Sequence, residues 1–264
     1  MIRGRVEMVG RPEFWETAHD VNPAAFKAAN ELGVLFQKLR SKPVHGELPV
    51  ALARIMTVTF NSFGAVTMLL LNGYDSDAMR VVRGMFENEV TAAYLRLHPV
   101  LVKDYNDFLY ISIQQEIEFL QNKSPDLFAQ VPPEHLENAK SEIAAIQDRF
   151  KTKKGHWKGS WTDVSVYQMA VDTGREEHYQ TLYRWGSGLA HGDITSVVAA
   201  FNKESSMIDA HASTEWTRTA LMAGHAAVLS VMKDFNDEAR FGSEKEIEDA
   251  GSEYKAAWNS EISR

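Results

Sequence analysis

The chain contains no cysteine. Disulfides and thiolate metal sites are therefore excluded, and a reducing compartment fits. Positive charge is also short: 28 Lys and Arg face 36 Asp and Glu, a formal net charge of -8. That balance argues against the broad electrostatic footprint needed for duplex DNA or an anionic membrane, although it permits a local basic pocket. The first residues, Met1-Ile-Arg-Gly-Arg-Val-Glu, have no apolar signal-peptide core, so a cytoplasmic protein is expected. There is no Gly-rich phosphate loop, nucleophile elbow or dinucleotide fingerprint. His178, His191, His211 and His225 form no close ligand pair, and no acidic residue completes a metal spacing. Neither a metal nor a cofactor is expected.

Long apolar runs are nearly absent as well. Ile55 to Leu71 comes closest, at the lower edge of membrane-spanning length. Asn61, Ser62 and Gly64 interrupt it and Arg54 precedes it, which reads as a buried helix in a bundle with no membrane partner. Strand-like alternation is scarce and helical period dominates.

The punctuation then divides the chain. Asn22-Pro23 opens a helix toward Arg40, and Ser41-Lys-Pro43 stops it. A second helix spans Glu47 to Leu71 and ends at Asn72-Gly73. Asp75 or Ser76 caps a third, from Asp77 to Leu97, ahead of Pro99. A fourth runs from Val100 to Gln121. Pro132-Pro133 opens a helix toward Phe150, followed by a basic, Gly-containing loop over 151–160. Thr162 or Asp163 caps a short helix ending at Thr173-Gly174, and the next helix ends at Gly192. Residues 193–212 read either as a short helix or as an ordered loop. Ser213 or Thr214 caps a long helix to Arg240, and the charged tail from Ser243 reads as a loosely held helix. The expected fold is all-α: a multi-helix bundle of about eight helices with a peripheral C-terminal helix. An N-terminal helical segment would cover 1–46, a bundle core 47–240 and a charged tail 241–264.

Chemistry concentrates in two stripes. On the helix ending at Gly192, Tyr179, Tyr183, Ser187 and His191 recur at i, i+4. Arg184, seven residues before His191, falls about 20° from it on the same face. Gly186 and Gly188 cost a helix about 1 kcal/mol each relative to alanine, which signals close approach of a neighbour or a local break. At the helix C-terminus the dipole favours a protonated His191, a suitable acid or base. Arg184 could hold a phosphate or a developing negative charge. The plainer reading is a capping histidine with tyrosines filling helix contacts.

The second stripe lies on the otherwise apolar helix from Asp77 to Leu97. Arg80, Arg83, Glu87, Thr91 and Tyr94 are spaced by three and four. Arg83 and Glu87 can pair with each other, or the stripe can face the first across the core and wall a site. A third cluster, Lys151 to Trp161, interleaves basic and aromatic residues. Such a pattern suits single-stranded nucleic acid, but the plainer reading is a solvated loop anchored by Trp157 and Trp161.

These two stripes resemble a bacterial helical family of unknown function. The likeness rests on Arg80-Val-Val-Arg83-Gly-Met-Phe-Glu87 leading to Tyr94-Leu, and on Trp161 followed by Tyr179, Tyr183, Ser187 and His191-Gly192. It covers roughly residues 50–235 and implies a helical fold without an established activity. A broader likeness is to the HEPN superfamily, whose motif is Arg, four to six residues, then His. Arg184 and His191 are separated by six. That resemblance implies a metal-independent ribonuclease, with Arg184 positioning phosphate, His191 acting on a ribose 2′-OH, and two copies meeting in a dimer.

Three readings are left open. One is a ligand- or partner-binding module in which Arg80, Arg83, Glu87, Tyr94, Tyr179, Tyr183 and Ser187 form the site. Another is a metal-independent ribonuclease or toxin, in phage defence or toxin–antitoxin function, with Arg184 and His191 catalytic. The last is purely structural. RNA or a small polar ligand would be the partner, and a homodimer would use the long apolar helices and Trp258.

Overall fold

The computed structural model describes residues 12–191, 201–202, 207–208 and 213–262. The chain divides into two compact units, Met1–Leu97 with Val166–Arg264, and His98–Ser165.

The first unit is built on three long helices that pack against one another: α3 (Glu47–Leu71), α4 (Asp75–Leu97) and α11 (Thr217–Ala239). The apolar residues of α3 recur with helical period, and Leu52, Ile55, Met56, Phe63, Val66 and Leu70 are buried. By length and composition α3 is the one helix among the described residues that could cross a membrane. Here its buried face belongs to the core with α4 and α11. It ends as the sequence predicts: Gly73 takes a φ of +74°, a conformation that suits glycine, and its N–H bonds the Leu70 carbonyl. On α11, a Cβ at Gly224 would lie 2.8 Å from the Phe63 ring. The absent side chain lets α11 and α3 approach.

Asp75 starts α4 two residues earlier than its spacing predicts. One carboxylate oxygen accepts the Ser76 N–H at 2.7 Å and the other accepts the Trp216 N–H at 2.9 Å. One buried side chain thus caps α4 and fixes the entry to α11. Ser213 does not cap α11, which begins at Thr217; its hydroxyl accepts the Glu215 N–H instead.

Two helices flank this core, α1 (Pro12–Val21) and α2 (Pro23–Arg40). The C-terminal helix α12 (Glu244–Ile262) packs on α2 and α11. Its charge suggested loose attachment, yet Ile247 and Ala257 are buried and the Tyr254 hydroxyl donates to the Met222 carbonyl at 2.9 Å. The Arg218 guanidinium lies 3.9 Å from the Trp258 ring centre, and Lys38 pairs with Glu246. A few apolar anchors on one face suffice to dock a helix whose other faces are charged.

The second unit contains α5 (Val102–Lys123), the short α6 (Pro125–Phe128) and α7 (Pro133–Ile146). Ile111, Ile146 and Phe150 form its buried core, with Phe108, Tyr110 and Trp157 against it. Arg149 ties this end together by pairing with Asp104 and Asp107. In the basic loop, the Trp157 indole N–H reaches Glu118 at 3.1 Å and Trp161 meets Tyr105 edge-on. Both tryptophans serve as anchors.

The expected architecture is observed, and the helix count exceeds eight among the described residues because α1 and several one- and two-turn helices add to it. The short helix expected from Thr162, α8 (Val166–Asp172), begins only at Val166, the Thr162 hydroxyl instead accepting the Val164 N–H in a local turn. Gly192 and most of 193–212 lie outside the described residues. Within that stretch Phe201–Asn202 and Met207–Ile208 pair as two short antiparallel strands.

Candidate functional site

The segment carrying the first stripe is a helix of three pieces: α9 (Glu176–His178), a π-helical stretch (Tyr179–Tyr183) and α10 (Arg184–Ala190). The wider π turn rotates less per residue than an α turn. Four residues there fall short of a full turn, which offsets the forward drift of i, i+4 spacing along α-helix. Tyr179 and Tyr183 consequently stack, with centroids 4.8 Å apart, and Tyr167 extends the ladder at 5.1 Å from Tyr179.

Close contact with α4 explains Gly186. A Cβ there would lie 2.9 Å from Arg83 Cβ and 3.0 Å from the Met79 carbonyl oxygen. The bare backbone of α10 therefore rests on α4, beside Arg83. From this contact a four-residue network grows. Arg83 Nε donates to Ser187 Oγ at 2.7 Å, and its Nη2 donates to the Tyr183 hydroxyl at 3.0 Å. The same nitrogen lies 3.0 Å from Glu87 Oε1, and the Tyr183 hydroxyl donates to that oxygen at 3.0 Å. Burial, then the Glu87 charge, raises the Tyr183 phenol above its ordinary pKa against the opposing pull of Arg83. The phenol stays protonated at neutral pH as a hydrogen-bond donor. The Arg83 side chain is 24% exposed and Glu87 36%. The network is held in place yet reaches solvent.

The other stripe residues take different positions. Arg80 Nε donates to the Leu189 carbonyl at 2.9 Å and pairs with Asp77, securing the end of α10. Tyr94 lies seven residues beyond Glu87 on α4 and is buried. Arg184 is exposed, with its Nη1 donating to Gln180 at 3.1 Å. It follows Tyr183 directly, so the helix turns it about 100° away from the Arg83 network. His191 is exposed at the C-cap of α10, its N–H bonded to the Ser187 carbonyl at 2.9 Å. Among the described residues, no group of three His, Asp or Glu could hold a metal.

A second polar constellation escapes the sequence stripes. Arg175 Nε donates to buried Glu89 at 2.9 Å, Nη1 to the Thr173 carbonyl at 2.9 Å, and Nη2 to Ser230 Oγ at 2.9 Å. Asp234, also buried, pairs with Arg96 and lies 3.8 Å from Arg175. Burial raises the Asp234 carboxyl above the usual range, with Arg96 and Arg175 opposing. The two arginines and Asp234 line an open cleft of about 420 Å³. The sequence signals for it are slight: an extra acid at Glu89, two residues past Glu87, and Asp234 beside the apolar Val231, Met232 and Phe235.

No curated protein and no solved structure matches the chain. A family model does match, over residues 50–208, a span that contains both stripes and the Arg83 network, and on that match the chain belongs to DUF5677, a family of unknown function.

Proposed function

We propose that the protein is a helical ligand-binding module whose site is the Arg83–Glu87–Tyr183–Ser187 network. The observation that carries this reading is the state of Arg83. Its guanidinium is fixed by groups on two helices, yet the side chain as a whole keeps some exposure to solvent. A preorganised, partly exposed arginine beside stacked tyrosines suits a small polar ligand carrying an anionic or carbonyl oxygen. Glu87 pairs with the arginine and would accept a hydrogen bond from the same ligand.

Native mass spectrometry of gently purified protein tests this. The expected result is a small-molecule adduct on the wild type that is missing from Arg83→Lys and from Tyr183→Phe at matched melting temperature. An adduct retained by both variants, or none on the wild type in any preparation, counts against the site.

A second reading, a HEPN-like metal-independent ribonuclease acting in the cytoplasm, is supported by the exposure of both Arg184 and His191, at opposite ends of α10 and outside the Arg83 network. It requires a second copy to bring two Arg–His motifs together. RNA cleavage that survives EDTA and is lost in Arg184→Ala and His191→Ala would support it. Intact RNA and no growth arrest on expression would remove it.

A further inference from the structure

The unit His98–Ser165 contains a half-open cleft of about 460 Å³ between α5 and α7, remote in sequence from the stripes. Its walls are mainly apolar: Tyr110, Ile113, Ile117, Leu120, Val131 and Ala139. That volume and lining match those of small-molecule sites. Two ionisable side chains also line it, Glu116 and His135. Both are exposed, and among the described residues neither side chain has a hydrogen-bond or ion-pair partner, whereas the other carboxylates of α5, Asp104, Asp107 and Glu118, do. Glu118 accepts from Gln114 and Trp157, and Glu137 pairs with Lys140.

From this contrast we infer that the α5–α7 cleft is a binding site for a small primary amine with an apolar body. The apolar walls would take the hydrocarbon. The ammonium would donate to the Glu116 carboxylate, and the Tyr110 ring would supply an aromatic wall that attracts a cation. A carboxylate ligand would meet Glu116 with like charge. A neutral isostere would forgo the charge-assisted hydrogen bond to that carboxylate.

The probe is 2-phenylethylamine, compared with 2-phenylethanol and 3-phenylpropionate, on the full-length protein by amide chemical-shift titration. The amine should shift amides in 110–120 and 131–139 and bind about tenfold tighter than the alcohol, the worth of one charge-assisted hydrogen bond. Glu116 is exposed, so Glu116→Gln should fold normally, bring the amine down to the alcohol's affinity and leave the alcohol's unchanged. Glu116→Lys should abolish amine binding. Glu137→Gln, which alters a 73% exposed carboxylate outside the cleft, should change nothing. Equal binding of the three probes, an amine preference that survives Glu116→Gln, or shifts confined to other parts of the chain would each overturn the assignment.

Discussion

Gly186 decides whether Arg83 can be held at all. Its missing Cβ leaves room for Arg83 Cβ and the Met79 carbonyl, neither of which can rotate aside. Gly186→Ala should therefore push α10 off α4, destabilise the protein by about 1–3 kcal/mol and weaken the Arg83–Ser187 bond. Denaturant unfolding measures the first effect. An unchanged midpoint would mean that the helices slide apart freely. Arg175 makes a harsher test, because removing it leaves Glu89 buried without its cation. Arg175→Ala should cost about 3–5 kcal/mol, and Arg175→Leu combined with Glu89→Leu should cost less than the single change. A larger loss in the double variant would contradict the pairing. The contrast between these residues also marks what was legible. Arg83 and Glu87 stand out as polar residues at helical spacing on an apolar helix. The partners of Glu89 and Arg96 lie 86 and 138 residues away, where no local pattern can signal them.

At the scale of elements, the contact between α12 and α11 should make stability depend on pH. His225 on α11 is buried and stacks on Tyr254 of α12 with centroids 4.4 Å apart. Burial lowers its pKa from 6.5 to about 4. Between those values the unfolded chain binds the proton and the folded one does not, so stability rises with pH across this window. As pH falls from about 6.5 to 4, roughly 3 kcal/mol should be lost through this group, levelling off below. His225→Phe should flatten that part of the stability profile in thermal melts. A profile equally steep in the variant would place the acid sensitivity elsewhere. The long helices α3, α4 and α11 were legible because each has a clear apolar period and a glycine, acid or proline near an end. By contrast, α1 (PEFWETAHDV) has apolar residues at helical spacing, but at ten residues it is too short for that spacing to stand out. The π stretch was hidden because i, i+4 spacing reads as ordinary α-helix.

For the whole molecule, the two units differ in how much core they bury. Met1–Leu97 with Val166–Arg264 buries side chains from three long helices, whereas the core of His98–Ser165 centres on Ile111, Ile146 and Phe150. A small core supports less stability. Hydrogen exchange should therefore be slowest in α3, α4 and α11 and measurably faster in α5 and α7. Protection of α5 equal to that of α4 would show that the two units open as one. The all-α class was legible from composition and period. The division at residues 98 and 165 was not, since α4 runs unbroken to Leu97 and the Gly- and Lys-rich loop before 165 reads as an ordinary connection between helices of one bundle.

The wide turn at Tyr179–Tyr183 has one more consequence. A π turn holds one residue more than an α turn needs, so this stretch is a reserve of chain length. Deleting a residue such as Gln180 would let the turn close to ordinary α-helix while both flanks keep their facing, with Ser187 still on Arg83. The same deletion within α10 would rotate everything beyond it by about 100°. Length variation among relatives of this chain should therefore be tolerated at these five positions and selected against in the seven that follow.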